Sequence, residues 1–174
     1  MYQITLKSQM FIIKELIISA LILVIGYLLV EKYDHSMGSE KITQIIFVVG
    51  YIIIQLIPSS ILHFQYFRKN RKKKFFVDEN SHLFTLTDEK STSLIRFDQI
   101  KSIHIISSIA LYRGGERGIS AWELYHYAVI VMEDGRRFVI TCILVNNLKN
   151  FFGNFKLQVT KHWNFYPLIN TEWE

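Results

Sequence analysis

Positions 42–64 read ITQIIFVVGYIIIQLIPSSILHF, a run without one Asp, Glu, Lys or Arg. Hydrocarbon offers no water to backbone N–H and C=O groups, so only a helix or a closed barrel crosses it, and a helix needs about 20 apolar residues to do so. A buried helix of a soluble domain rarely dispenses with charge over such a length. The run therefore predicts a transmembrane helix. Pro58 removes one backbone donor and predicts a kink in its last third.

A second candidate precedes it. Residues 11–30, FIIKELIISALILVIGYLLV, carry only Lys14 and Glu15 as charges, both near the membrane edge. Lys7 and Lys14 imitate the basic region of a secretory signal, but no small-x-small cleavage site follows Val30, which favours an uncleaved anchor. The link EKYDHSMGSEK is short enough to force an antiparallel helical hairpin. It offers Lys32 and Lys41 against Glu31, Asp34 and Glu40, whereas the other membrane face receives Lys7, Lys14 and the run Arg68, Lys69, Arg71, Lys72, Lys73 and Lys74. The positive-inside bias then puts both termini in the cytoplasm of a multi-pass membrane protein. The basic run fixes topology and also suits contact with anionic lipid headgroups.

Helical spacing gives each span a stripe of polar and small residues: Glu15, Ser19, Ile22 and Gly26 in the first, Gln44, Tyr51, Gln55 and Ser59 in the second. Such stripes pack against other helices, within the hairpin or between protomers of a homo-oligomer.

Half of the residues are hydrophobic and the formal net charge is +5. From Phe75 onward, however, ten basic residues face eleven acidic ones. The basic excess thus belongs to the membrane part, which argues against nucleic-acid binding by the remainder. Cys142 is the single cysteine, so the chain forms neither an internal disulfide nor a thiolate zinc site, and the residue reads as a small core thiol.

After Phe75 the hydrophobic period changes from helical to twofold, with turn signals every eight to twelve residues. KFFV and HLFTLT flank DENS as a first hairpin; TSLIRF, with Ile95 and Phe97 inward, and DQIKSIHII follow. Beyond the loop YRGGERGISAWE come LYHYAVIVM and RRFVITCI, joined by EDGR, whose Asp134-Gly135 pair suits a tight turn. Leu148, Phe151, Phe152 and Phe155 then share one helical face, with Asn146 or Asn147 as N-cap. The tail, KLQVTKHWNFYPLINTEWE, is too apolar for a free linker and suits an added edge strand or a partner-binding strand.

The segments IRFDQIKSI, YHYAVIVMEDGRRFVIT and LKNFF resemble the pleckstrin-homology-like (PH-like) domains of small bacterial membrane proteins, as does the two-span anchor ahead of them. The resemblance implies an α+β membrane protein. Residues 1–67 form a transmembrane helical hairpin, 68–74 a basic juxtamembrane linker, and 75–174 a cytoplasmic antiparallel β-barrel or sandwich capped by a C-terminal helix. It also implies the inner membrane of a bacterium. Phosphoinositide-binding relatives carry basic residues at the first hairpin turn; here that turn is VDENS, which disfavours such a ligand.

Candidate site residues are few. Arg113 and Arg117 in RGGER, with Trp122 nearby, form a possible partner or anion loop, but the strand and helix of a phosphate loop are missing. Trp122, Tyr125 and Tyr127 make a candidate exposed aromatic patch, with core packing as the competing role. His82, His104 and His126 lie on predicted strands and are placed to meet across the sheet, yet no HxH, HExxH or carboxylate cluster accompanies them. Asp98 suits a turn cap, and the serines lack a nucleophile elbow. No enzyme, metal site or cofactor is predicted. The expected function is a membrane-anchored interaction module that binds a protein partner, with a transport or envelope accessory subunit or a lipid-sensing regulator as alternatives.

Overall fold

Alternation along the strands after Phe75 directs Phe75, Phe84, Leu86 and Ile95 to one side of a sheet, and all four are buried. In the computed structural model, which describes residues 1–33, 40–89, 91–114, 120–155 and 157–170, that sheet has the order β1-β2-β3-β4. Its strands are β1 (Tyr2–Gln3), β2 (Lys74–Asp78), β3 (Leu83–Thr87) and β4 (Thr92–Arg96). All pairings are antiparallel, with Phe76, Thr85 and Leu94 in register across β2, β3 and β4. The contribution of Tyr2 and Gln3 is new, since two residues are too few to show a period. Tyr2 packs edge-on to Phe151 with ring centroids 5.5 Å apart.

The second sheet has the order β7-β6-β5-β8, from β5 (Ile100–Ser107), β6 (His126–Met132), β7 (Arg137–Thr141) and β8 (Val159–Trp163). A register shift between Ile100 and Ser102 marks a bulge at the start of β5. Gly135, at φ +87°, takes the left-handed conformation in the β6–β7 turn that Asp134-Gly135 predicts. The tail supplies β8, which runs parallel to β5. The antiparallel expectation is thus corrected to a mixed sheet. β5 and β7 are both antiparallel to β6 and so finish at the same end of the sheet; α5 (Leu148–Asn154) carries the chain back to the other end, so β8 sets out in the direction of β5.

Ile103, Ile105, Ile130 and Ile140 of this sheet meet the first sheet and α5, whose Leu148, Phe151 and Phe152 are buried. Asn147 caps α5, its side chain accepting from Asn150 N at 3.2 Å. Phe84 lies at the centre of this core, within 6 Å of the rings of Phe75, Phe97, Phe151, Phe152 and Phe155. Burying a ring of this size contributes about 1.5–3 kcal/mol, so the cluster dominates this layer.

The opposite face of the second sheet is also covered. Tyr127, Val129, Val139 and Cys142 pack there against Leu62 and Tyr66. Those two residues come from a helix assembled from α2 (Glu40–Tyr51), a π-helical turn (Ile52–Leu56) and α3 (Ile57–Asn70), in immediate succession. Ile57 N donates to Ile52 O, a wider loop than an α-turn, and this widening accommodates the missing N–H of Pro58 without ending the helix. Every fourth or third residue of α3, Ser59, Leu62, Tyr66 and Asn70, is buried. Arg68 and Lys69 therefore belong to the last helical turn, and Lys74 opens β2.

The first helix, α1 (Leu6–Tyr33), has 28 residues, about 42 Å at 1.5 Å each. Ile17, Ile18, Leu21, Ile22, Val24, Ile25, Leu28 and Leu29 along it are exposed, as are Ile45, Ile46, Phe47, Ile53 and Ile54 of the second helix. Among the described residues one helix, Ile45–Asn70, is long and apolar enough by composition to cross a membrane. Ser19 Oγ and Tyr51 OH meet at 3.0 Å, and Tyr51 OH donates to Leu16 O at 3.1 Å. Two residues of the expected polar stripes thus join the helices; the side chain of Gln44 lies outside the described residues.

Candidate interaction surface

Three carboxamides of the second helix each hold one backbone segment of the β domain. Gln55 Nε2 donates to Ser120 Oγ at 2.9 Å, and Ala121 N donates to Gln55 Oε1 at 3.1 Å. Gln65 Nε2 donates to Ile169 O, and Ile169 N returns a bond to Gln65 Oε1, both at 3.0 Å. Asn70, fully buried, donates to Val139 O at 3.2 Å and accepts from Thr141 N at 3.0 Å. An amide carries donor and acceptor together, as a peptide unit does, so Gln65 and Asn70 each pair one backbone N–H and one C=O, those at Asn70 being buried, while Gln55 pairs the Ala121 N–H and the Ser120 hydroxyl. Tyr66 OH donates to Pro167 O at 2.6 Å and Tyr127 OH to Leu168 O at 3.1 Å, which ties the tail to the same seam. The Gln55 contact corrects one expected role: it faces the domain, not another helix.

The aromatic patch is likewise corrected. Trp122, Tyr125 and Tyr127 are 6%, 2% and 1% exposed and belong to the core beneath α3. Tyr66 sets its ring edge-on to both tyrosines, and Trp122 lies 4.7 Å from the Tyr166 ring. Burial pushes the Tyr127 hydroxyl up to about 12 and the Cys142 thiol likewise to about 12, so neither ionises near neutral pH.

The three histidines do not meet. His82 sits in the β2–β3 turn at φ +49°, outside any strand. His126 is tied to its own loop, Nδ1 lying 2.8 Å from Leu124 O, and burial holds its pKa below the usual histidine range. His104 instead finds His162 of β8, Nδ1 to Nε2 at 3.0 Å, with Ser102 Oγ 2.9 Å from its other nitrogen. Partial burial, then His162, lower the His104 pKa. His162 escapes sequence reasoning because β8 is laid beside β5 from a segment without a clear period. Among the described residues no group of three or more His, Cys, Asp and Glu gathers as a metal site.

Arg113 is exposed just after the short helix α4 (Ile109–Tyr112), and Gly114 follows at φ +90°. Arg117 lies outside the described residues. Of the basic run, Arg68, Lys69 and Lys73 line an open groove of about 860 Å³ whose other walls include Ile61, Phe64 and Asp88. Lys72 pairs with Glu89 at 2.7 Å, and Arg71 and Lys74 are exposed. A second cationic site was not legible in sequence: a cleft of about 440 Å³ collects Lys14 and Glu15 of α1, Lys149 of α5 and Lys161 of β8, beside His126 and Asn147. Burial and the neighbouring Lys149 amine lower the Lys161 pKa.

No curated protein and no solved structure is found to match the chain. A family model described as a PH domain does match, over residues 1–150, and so takes in both N-terminal helices, the two sheets up to β7 and the start of α5. Two stacked sheets closed by a C-terminal helix are the architecture that match implies, and the chain belongs to the PH domain family.

Proposed function

We propose that the protein is a membrane-anchored interaction module in which two apolar helices span the bilayer and hold a PH domain against its cytoplasmic face, ready for a protein partner. One observation carries this: the second helix is continuous from an exposed apolar half around Ile45–Tyr51 to a half whose Leu62, Tyr66 and Asn70 are built into the domain. Exposed apolar surface on this scale is stable where lipid covers it. The exposed side chains of α1 support a second span, and the surplus of Lys and Arg at 68–74 supports cytoplasmic termini in a bacterial inner membrane. Arg68, Lys69 and Lys73, beside Ile61 and Phe64, suit contact with anionic lipid headgroups.

For the partner, the outer face of the first sheet offers Phe76 and Leu94, exposed and aligned through Thr85, next to the edge strand β4. Edge backbone groups with apolar neighbours suit strand addition by an extended peptide. The deciding experiment is crosslinking in native membranes with identification of the captured species, for the full chain and for L94D. Loss of the partner in L94D supports the reading; release of the protein by alkaline carbonate sinks it. A lipid-sensing regulator has its own support in the cleft where Lys149 and Lys161 meet, with Lys14 paired to Glu15 at 3.9 Å in its wall; the two remaining amines suit a phosphate group.

A further inference from the structure

Below the level where Tyr51 joins α1, the two helices and the domain leave a groove of about 410 Å³. Its walls are mostly apolar: Ile13 and Leu16 of α1, Phe64 and Phe67 of α3, with Tyr125 beneath. One polar group in it is out of place. Ser59 is 3% exposed, lines the groove, and its Oγ has no hydrogen-bond partner among the described residues. Being closed to solvent, that hydroxyl is closed to a ligand oxygen as well, so what the groove offers an occupant is mainly apolar surface. His63, also in the wall, uses Nδ1 on Tyr125 OH at 3.1 Å.

The groove is of small-molecule size and too small for a helix of 10–12 Å diameter. It is also continuous with apolar side chains exposed on the same helices, Phe64 at 66% and Ile17 at 45%. We propose that it holds one acyl chain of a bilayer lipid, whose methylenes pack on Ile13, Leu16, Phe64 and Phe67. The chain would then fill the seam between α1 and α3. This rests on the membrane reading above.

The test uses the full chain in vesicles containing phosphatidylcholine with a diazirine on its acyl chain, with adducts located residue by residue. Adducts are expected on the exposed belt, 17–29 and 45–57, and also at groove positions within 9–16 and 59–67. Ile13→Trp and Ser60→Phe, which fill the groove from opposite walls, should each cut the groove adducts about tenfold and leave the belt unchanged. Belt adducts alone would overturn the groove site and spare the membrane reading. No adducts on either would overturn both. Groove adducts undiminished in both variants would mean ordinary bilayer contact, which also defeats the proposal.

Discussion

Asn70 of α3 and Thr141 of β7 are joined by a hydrogen bond of 3.0 Å from the Thr141 backbone to the Asn70 side chain. Because Asn70 also donates to Val139 O, one side chain serves as the neighbour that the edge strand β7 lacks, and it fixes the helix to the sheet. Asn70→Ala would leave two buried backbone groups unpaired, a loss of about 2–4 kcal/mol. In thermal unfolding of the full chain that is a fall of roughly 5–15 °C. Asn70→Asp keeps the acceptor but loses the donor and buries a charge, so it should be no better than alanine.

The same seam sets the minimal folding unit. A fragment starting at residue 75 lacks Leu62, Tyr66 and Asn70 and uncovers Val129, Val139, Cys142 and Ile143. It should aggregate or unfold without a cooperative transition, whereas a fragment starting at residue 55 should melt cooperatively in mild detergent. Calorimetry of the two decides.

Stability should fall as the solution becomes acidic. His126 has a folded pKa below its ordinary value because burial disfavours the charged ring, so the unfolded chain takes up its proton first. Its contribution is fully present above about pH 6.5 and is lost below, at up to about 1.4 kcal/mol per pH unit, until the depressed folded pKa is reached. His104, lowered in the same direction, adds to the trend. Unfolding midpoints between pH 7.5 and 5 should drop, and less so in His126→Gln relative to its own value at pH 7.5.

Topology can be read with thiols. Cys142 is buried and its pKa is raised to about 12, so the native chain should stay unlabelled by an impermeant maleimide even in opened membranes. Ser36→Cys should label from outside intact cells, and Ser81→Cys only after the membrane is opened. The reverse pattern would refute the proposed orientation.

The two basic surfaces make separable predictions. Reversing Arg68, Lys69 and Lys73 to Glu should reduce the enrichment of anionic lipid around the full chain in mixed vesicles, by about 1 kcal/mol per residue at low salt, without affecting binding of soluble inositol phosphates. Reversing Lys149 and Lys161 should abolish any saturable binding of soluble inositol hexakisphosphate, measured by calorimetry.

Whatever depends on local order along the chain was legible without coordinates. The uncharged run at 42–64, the alternation of Phe75, Phe84 and Ile95, the Asp134-Gly135 turn and the Leu148-Phe151-Phe152 face each declare themselves, because a period or a turn residue needs only its neighbours in sequence. Tertiary structure decided the rest. Trp122, Tyr125 and Tyr127 turned out to be core because α3 continues past the expected membrane exit and covers a sheet face, and no local pattern says what will lie over an aromatic strand. His104 met His162 because the chain returns through α5 to lay β8 beside β5. The lysine cleft unites residues of α1, α5 and β8, and the groove beside Ser59 exists only where α1 and α3 share a boundary. Such sites join positions far apart in the chain, where the physics of packing rather than periodicity sets who touches whom.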